Sequence, residues 1–133
     1  MKVVLDCNVI MSAIFFGGLP RKSLEMFSDG KFELVISKVI YEEYLETAEV
    51  LSERYPGLQY KTLLERLVKK AHFVVAPPFK ECVCKDPDDD IYLEAAVASG
   101  ATVISTGDKL LLACDGFRGI RILKPRDLLD LLN

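Results

Sequence analysis

The chain has a single histidine and no glycine-rich loop of the kind that binds phosphate. We interpret His72 as structural because it enters an expected strand from an apolar helix, and no Cys–His pair is available for nucleophilic catalysis. Gly17-Gly18 and Gly107 do not have the spacing of a Walker loop or another usual phosphate cradle. Histidine-based catalysis and P-loop chemistry are therefore disfavoured.

Long apolar runs and excess positive charge are also missing. No run approaches the roughly 20 apolar residues of a membrane span, and Asp6 comes too early for a signal peptide. The formal net charge is −3, so nucleic-acid binding would need a local basic patch or a bound metal. The cysteines have neither disulfide-framework nor zinc-knuckle spacing, and we interpret them as reduced thiols of a cytoplasmic protein: Cys7, Cys82, Cys84 and Cys114.

What is present is a chain of 133 residues, half of them hydrophobic, in which expected strands and helices alternate. This alternation predicts a single α/β domain over residues 1–133, with a mainly parallel sheet of four or five strands and helices on both faces. The expected strands are 2–5, 32–36, 73–76, 102–105 and 120–123. The expected helices are 8–16, 21–27, 38–51, 60–71, 91–98, 108–113 and one from 125 onward.

One stretch, residues 86–90, places four carboxylates in five positions directly before an apolar helix. The dipole at a helix N-terminus favours each negative charge by only about 0.3–1 kcal/mol. Repulsion among acids this close would exceed that gain unless a cation or solvent intervenes. The alternative is an acidic loop with one capping aspartate.

Further acids are expected at the same edge of the sheet. Asp6 closes the first strand, Asp108 follows the fourth, and Glu43 lies in the helix after the second. Ligands of open parallel sheets bind outside the carboxyl ends of the strands. Carboxylate oxygens favour Mg²⁺ or Mn²⁺ over zinc. Such an ion activates water and stabilises charge on phosphate oxygens, so the pattern predicts phosphate-ester cleavage.

Together these motifs resemble the PIN domain, and within it the VapC-type toxins of toxin–antitoxin pairs. The resemblance covers nearly the whole chain and is carried by Val4-Leu5-Asp6-Cys7-Asn8-Val9, Ile36-Ser37 through Glu43, Asp86-Pro87-Asp88-Asp89-Asp90, and Thr106-Gly107-Asp108-Lys109. It implies an α/β/α sandwich and a Mg²⁺- or Mn²⁺-dependent endoribonuclease that leaves 3′-hydroxyl and 5′-phosphate ends. It also implies an antitoxin partner that blocks the site, and a homodimer or higher oligomer.

The resemblance also implies roles for individual residues. The acidic quartet that would bind metal and catalyse corresponds to Asp6, Glu43, Asp89 and Asp108. Supporting positions correspond to Asn8, Ser37, Thr106, Asp86 and Asp88. Glu43 is preferred over its neighbour Glu42 because it lies six residues after Ser37, as in the family. Cys7, Asp90 and Leu110 depart from the pattern of the nearest group.

Two other interpretations stay open. Asp6-Cys7-Asn8-Val9 with Gly107-Asp108 faintly resembles the haloacid dehalogenases, in which Asp6 would be a nucleophile. Asn8 then stands where that family's phosphatases have a second acid. The chain could also be a non-catalytic partner-binding module, with a surface formed by Leu63-Leu64-Leu67-Val68 or by Met11-Ile14-Phe15-Phe16, although both sets suit a core.

Overall fold

Five short strands form one parallel sheet in the computed structural model, which describes residues 1–133. The strands are β1 (Lys2–Leu5), β2 (Glu33–Ile36), β3 (His72–Phe73), β4 (Val103–Ser105) and β5 (Arg121–Leu123). Their spatial order is β3-β2-β1-β4-β5, and every neighbouring pair is parallel. The predicted α/β fold with a mainly parallel sheet is confirmed, with five strands.

Seven α-helices connect and cover these strands. They are α1 (Cys7–Phe15), α2 (Gly18–Ser28), α3 (Lys38–Arg54), α4 (Tyr60–Lys70), α5 (Asp90–Ser99), α6 (Lys109–Leu112) and α7 (Pro125–Leu132). The chain moves from β1 to β3 in one direction across the sheet and from β3 to β5 in the other. Right-handed crossovers therefore place α1 to α4 on one face and α5 and α6 on the other, which gives the three layers.

The central strand β1 is the most deeply buried. Its residues Val3, Val4 and Leu5 have no exposed surface, as expected for a strand with neighbours on both sides and helices on both faces. Val3 lies opposite Leu34 of β2 and Val103 of β4. Asp6, the residue after this strand, donates its backbone N–H to the Ser105 carbonyl at 2.9 Å. The position of Asp6 is thus fixed by the sheet itself.

Local capping signals are visible at two helix ends. Ser37 caps α3, where its hydroxyl accepts a hydrogen bond from Ile40 N at 3.3 Å. Gly100 ends α5 in the left-handed conformation, with φ of 76°, which glycine adopts without strain. None of the helices is both long enough and apolar enough to cross a membrane.

Other details of the sequence prediction were wrong. The third strand is limited to His72–Phe73 rather than 73–76, although Val74 N still bonds to Ile36 O at 2.9 Å. This edge strand has a neighbour on one side only, so His72 is exposed and Val75 is 89% exposed. Val39 and Leu63, expected in the core, are 52% and 41% exposed. Sequence patterns predict that a helix is present more reliably than they predict which of its faces is buried.

Candidate active site

The carboxyl ends of the parallel strands bring the predicted acids to one edge of the sheet. Asp6 follows β1, and Asp108 lies just beyond β4. Glu43 projects from α3, and Asp89 ends a short 3₁₀ turn, Pro87–Asp89, that leads into α5. Besides burial, the charge of Asp108 raises the pKa values of Asp6 and Asp89, and the charge of Asp6 raises those of Asp89 and Glu43. The four predicted quartet residues are therefore close neighbours.

Two of these acids lie at helix N-caps without capping the helix. Asp6 precedes α1 and Asp89 precedes α5, yet neither side chain makes a capping hydrogen bond to its helix. Asp108, in contrast, caps α6 by accepting from Leu110 N at 2.9 Å. Capping is the ordinary reason for an aspartate at such a position. Because Asp6 and Asp89 do not cap, their carboxylates remain available to the site.

Asp6 is 4% exposed, and its carboxylate is held by neutral donors. Thr106 Oγ1 donates to Asp6 Oδ2 at 2.5 Å and accepts from Asp108 N at 2.9 Å, so one hydroxyl links two acid-bearing segments. Burial raises the pKa of Asp6, hydrogen bonds from Thr106, Tyr92 and the Cys7 backbone oppose that rise, and the Asp108 charge adds to it. No lysine or arginine is among these partners.

Glu43 is half-buried, whereas its neighbour Glu42 is exposed on the solvent side of α3. Burial raises the pKa of Glu43, a hydrogen bond with the Tyr92 hydroxyl opposes this, and the charges of Asp6 and Asp88 raise it further. The structure therefore directs Glu43, and not Glu42, toward the other acids.

Asp89 has the least compensated carboxylate of the set. It is 7% exposed, and its Oδ2 atom is buried without any hydrogen-bond partner. Burial, followed by the charges of Asp108, Asp6 and Asp86, raises the pKa of Asp89 to about 7. A buried oxygen without a donor costs roughly 1–3 kcal/mol. Such an atom marks a place where a cation or another donor would be stabilising.

Tyr92 is a functional candidate that the sequence reasoning missed. Its hydroxyl is buried, accepts from Cys7 N at 3.1 Å, and lies near the carboxyl groups of Asp6 and Glu43, where it opposes the rise in their pKa values. Its single proton can be donated to one of the two carboxyls at a time. Burial raises the pKa of Tyr92 far above its usual range, followed by the Asp6 charge, so the phenol stays neutral. In the sequence it belongs to the apolar run of α5, and nothing there distinguishes it from a core aromatic residue.

The remaining predicted residues serve local structure or lie at the surface. Asn8 is exposed in the first turn of α1, and Asp88 is exposed in the 3₁₀ turn. Asp86 caps that turn by accepting from Asp88 N at 3.0 Å. Ser37 and Thr106, described above, are both buried next to the acids' segments.

Asp90, a departure from the family pattern, holds the preceding loop. Its two carboxylate oxygens accept from Val83 N at 2.9 Å and Cys84 N at 2.7 Å. Burial alone would raise the pKa of Asp90, but these backbone hydrogen bonds and the nearby thiols lower it. The acidic motif thus divides: Asp90 and Asp86 order the backbone, while Asp89 faces the site.

The donor set fits a hard divalent cation that keeps some of its own waters. No three Asp, Glu, His or Cys side chains are close enough together to enclose an ion by themselves. Mg²⁺ is usually held by one or two carboxylates, with waters and substrate phosphates as its other ligands. The orphaned Asp89 Oδ2 beside other carboxylates suits this mode, whereas zinc would require a closed set of nitrogen or sulfur ligands.

Comparisons with known proteins agree with this fold. The family model described as "PIN domain" matches residues 2–110. An uncharacterized protein of Methanocaldococcus jannaschii, MJ1680, is 29% identical over 116 residues, which cover 85% of this chain and 74% of the relative. The crystal structure of PAE2754 from Pyrobaculum aerophilum superposes with a TM-score of 0.63 at 17% identity, over 99% of this chain and 89% of that one. The last likeness concerns the fold alone.

The raised pKa of Asp89 predicts a pH-dependent stability of the metal-free protein. Because its pKa rises from 3.8 to about 7 on folding, the folded state binds more protons. Stability is then lost as the pH rises from about 4 to 7. Asp89→Asn should flatten this dependence and raise the melting temperature at pH 8 by roughly 2–5 °C. Both effects are measured by thermal unfolding in the presence of chelator from pH 5 to 8.

The control is Asp130→Asn, which removes an exposed carboxylate from α7. It should keep the wild-type pH dependence. Equal pH dependence for Asp89→Asn and Asp130→Asn would show that Asp89 is not held in an unfavourable charged state.

Tyr92→Phe should destabilise the fold, because the Cys7 N–H loses its acceptor and the phenol no longer stabilises the charged carboxyl groups of Asp6 and Glu43. The expected loss in unfolding free energy is about 1–3 kcal/mol. Urea denaturation measures it against Tyr41→Phe, a partly buried tyrosine on α3 with no hydrogen bond from its hydroxyl. If the two variants lose the same stability, the Tyr92 hydroxyl does not organise the acids.

Proposed function

This chain belongs to the PIN domain family, whose members are generally hydrolytic nucleases that use divalent metal ions, and we propose that it is a Mg²⁺- or Mn²⁺-dependent endoribonuclease. The observation that carries the proposal is the Asp89 carboxylate, buried beside Asp6 and Asp108 with an unpartnered oxygen. Unlike a capping aspartate, it has no structural partner that would explain its burial. A cation-assisted reaction on a phosphodiester does explain it.

In this proposal Asp6, Glu43 and Asp89 hold the cation directly or through water, and Asp108 completes the site. A bound divalent cation supplies Lewis-acid stabilisation of charge on phosphate oxygens and acidifies water at the site. Thr106 and Tyr92 orient the Asp6 carboxylate, which keeps its direction with or without substrate. Asp89, with a pKa of about 7, is suited to exchange a proton near neutral pH.

Three lysines at the carboxyl edge of the sheet are the best candidates for contacts with RNA phosphates. Lys38 follows the cap of α3, Lys109 follows Asp108, and Lys124 follows β5, and all three are exposed. They could draw an anionic backbone toward the acids despite the net charge of −3.

Four other basic residues are less suitable. Arg118 lies over the rings of Phe79 and Phe117, at 5.4 and 5.2 Å from their centroids. Arg121 opens β5, and Lys69 and Lys70 precede β3, so these residues lie toward the opposite edge of the sheet.

The alternatives are less well supported. A phosphohydrolase with Asp6 as nucleophile needs a second acid two residues later, and Asn8 is an exposed amide there. A toxin role, an antitoxin partner and a homodimer stay predictions of the family resemblance. An apolar groove between α2 and α4, lined in part by Leu24, Leu58, Leu63 and Leu67, is the surface best suited to such a partner.

Nuclease activity is tested with a labelled, unstructured RNA of mixed sequence and Mn²⁺. We expect cleavage to 5′-phosphate products, abolished by chelator and reduced at least about 100-fold by Asp6→Asn or Asp89→Asn. Asp130→Asn is the matched control and should keep wild-type activity. If either site variant cleaves as fast as the control, the assigned site is wrong.

Cation binding is tested separately by calorimetry with Mn²⁺ alone. Because Asp89 is protonated below pH 7 and must lose its proton to bind a cation, the apparent affinity should rise by up to roughly tenfold per pH unit between pH 5.5 and 7. Asp89→Asn should remove this dependence. Affinity independent of pH in the wild type would mean that Asp89 is not a ligand.

A further inference from the structure

Two cysteines far apart in sequence meet beside the acidic site. The Sγ atoms of Cys84 and Cys114 are 3.2 Å apart, although 30 positions separate them in the chain. Cys84 is buried just before the acidic motif, and Cys114 is half-buried just after α6. We propose that these two residues form a reversible disulfide, a modification site that ties the loop carrying Asp89 to the segment that begins at Asp108.

The other cysteines are not arranged for this bond. The Cys7 thiol is buried beneath α3 and contacts the Glu43 carbonyl at 3.8 Å. Cys82 directs its sulfur to the Cys84 carbonyl at 3.0 Å and is exposed. A zinc site is not an alternative, because zinc needs a closed set of nitrogen or sulfur ligands and no further ligand is placed to complete one with these two sulfurs. Cys84 and Cys114 are the one pair with sulfurs in direct contact.

Hydrogen bonds fix the backbone at both cysteines. Cys84 N is fixed by Asp90 Oδ1 at 2.7 Å, and Cys114 N bonds to Leu111 O at 3.0 Å. A disulfide requires the sulfur atoms to approach to about 2.05 Å, roughly 1.2 Å closer than the thiols. The proposal assigns this movement to rotation of the Cys114 side chain, which is the less buried of the two.

The disulfide would strengthen the attachment of residues 74–86 to the rest of the domain, which otherwise depends on hydrogen bonds and ring contacts. Residues 74–86 form a long segment without regular secondary structure, and such segments are uncommon in compact domains unless they are anchored. The present anchors are Phe79 N on Glu94 Oε2 at 2.6 Å, the Phe79–Phe117 ring contact at 5.8 Å and the Asp90 bonds. A covalent link beside them would fix the Asp89 turn relative to the Asp108 cap.

The oxidant is a low-molecular-weight disulfide such as oxidised glutathione. The more exposed Cys114 thiolate attacks one of its sulfurs, which forms a mixed disulfide and releases one glutathione thiol. Cys84 then loses its proton and attacks the Cys114 sulfur, which releases the second glutathione. Two protein thiols are oxidised and one glutathione disulfide is reduced. Burial and the adjacent Cys114 and Asp90 raise the pKa of Cys84, so Cys84 attacks slowly in the second step. The completed disulfide holds the two segments together until it is reduced.

To test this, the folded full chain is incubated with oxidised glutathione and its remaining thiols are alkylated. The protein is then digested with trypsin without reductant. Trypsin yields one peptide with both Cys82 and Cys84, residues 81–85, and another with Cys114, residues 110–118. We expect these peptides to be cross-linked in the wild type and in Cys82→Ser, and not in Cys84→Ser or Cys114→Ser. The melting temperature of Cys82→Ser should rise by roughly 5 °C or more on oxidation and return with reductant.

Three outcomes would overturn the proposal. One is a cross-link that survives Cys84→Ser, since Cys82 would then be the partner. Another is glutathione attached to Cys114 without the cross-link. The third is no oxidation of folded Cys82→Ser under conditions that oxidise the same chain in urea. Cys114→Ser replaces a half-buried residue and, unlike Cys84→Ser, leaves the buried thiol in place, so a loss of folding in one variant does not remove the test. The readout is independent of metal binding and of nuclease activity.

Discussion

Repulsion among buried carboxylates at one edge of the sheet is the constraint on which this structure depends. Asp6, Glu43, Asp89 and Asp108 are close enough for their charges to raise several of one another's pKa values, and no lysine or arginine is among their partners. The acids are held together by neutral groups, chiefly the hydroxyls of Thr106 and Tyr92. Hydroxyl donors orient a carboxylate without neutralising it, so the acids stay close together without a cationic partner.

The apolar sheet below the acids offsets the unfavourable free energy of their repulsion. Asp6 cannot move away from its neighbours, because β1 is buried on both faces and Asp6 N bonds to the next strand. Asp89 is equally constrained, since the adjacent Asp90 fixes the loop backbone and α5 follows at once. Functional sites that are destabilising in isolation are common in proteins and depend on such rigid surroundings.

The sequence predicted the fold and the neighbourhood of the acids because both follow from local patterns. Apolar runs before Asp6 and Asp108 mark strands, and parallel strands bring their carboxyl ends together. Tyr92 was missed because a buried aromatic residue has the same sequence pattern whether or not its hydroxyl is used. Val39 was assigned to the core because hydrophobicity does not specify which side of a helix is covered. The contact between Cys84 and Cys114 depends on tertiary structure, which spacing alone cannot reveal.

The aspartates of the acidic motif have different roles, which explains why several of them occur together. Asp86 and Asp90 satisfy backbone N–H groups of the turn and the loop, and these bonds lower the pKa of Asp90. The side chain of Asp89, between them, makes no capping bond, and its pKa is raised to about 7. Adjacent residues of one chemical type thus differ in protonation because of their partners alone. An aspartate at a helix N-terminus ordinarily caps it, whereas here the flanking acids order the backbone and the Asp89 Oδ2 atom is left without a hydrogen-bond partner.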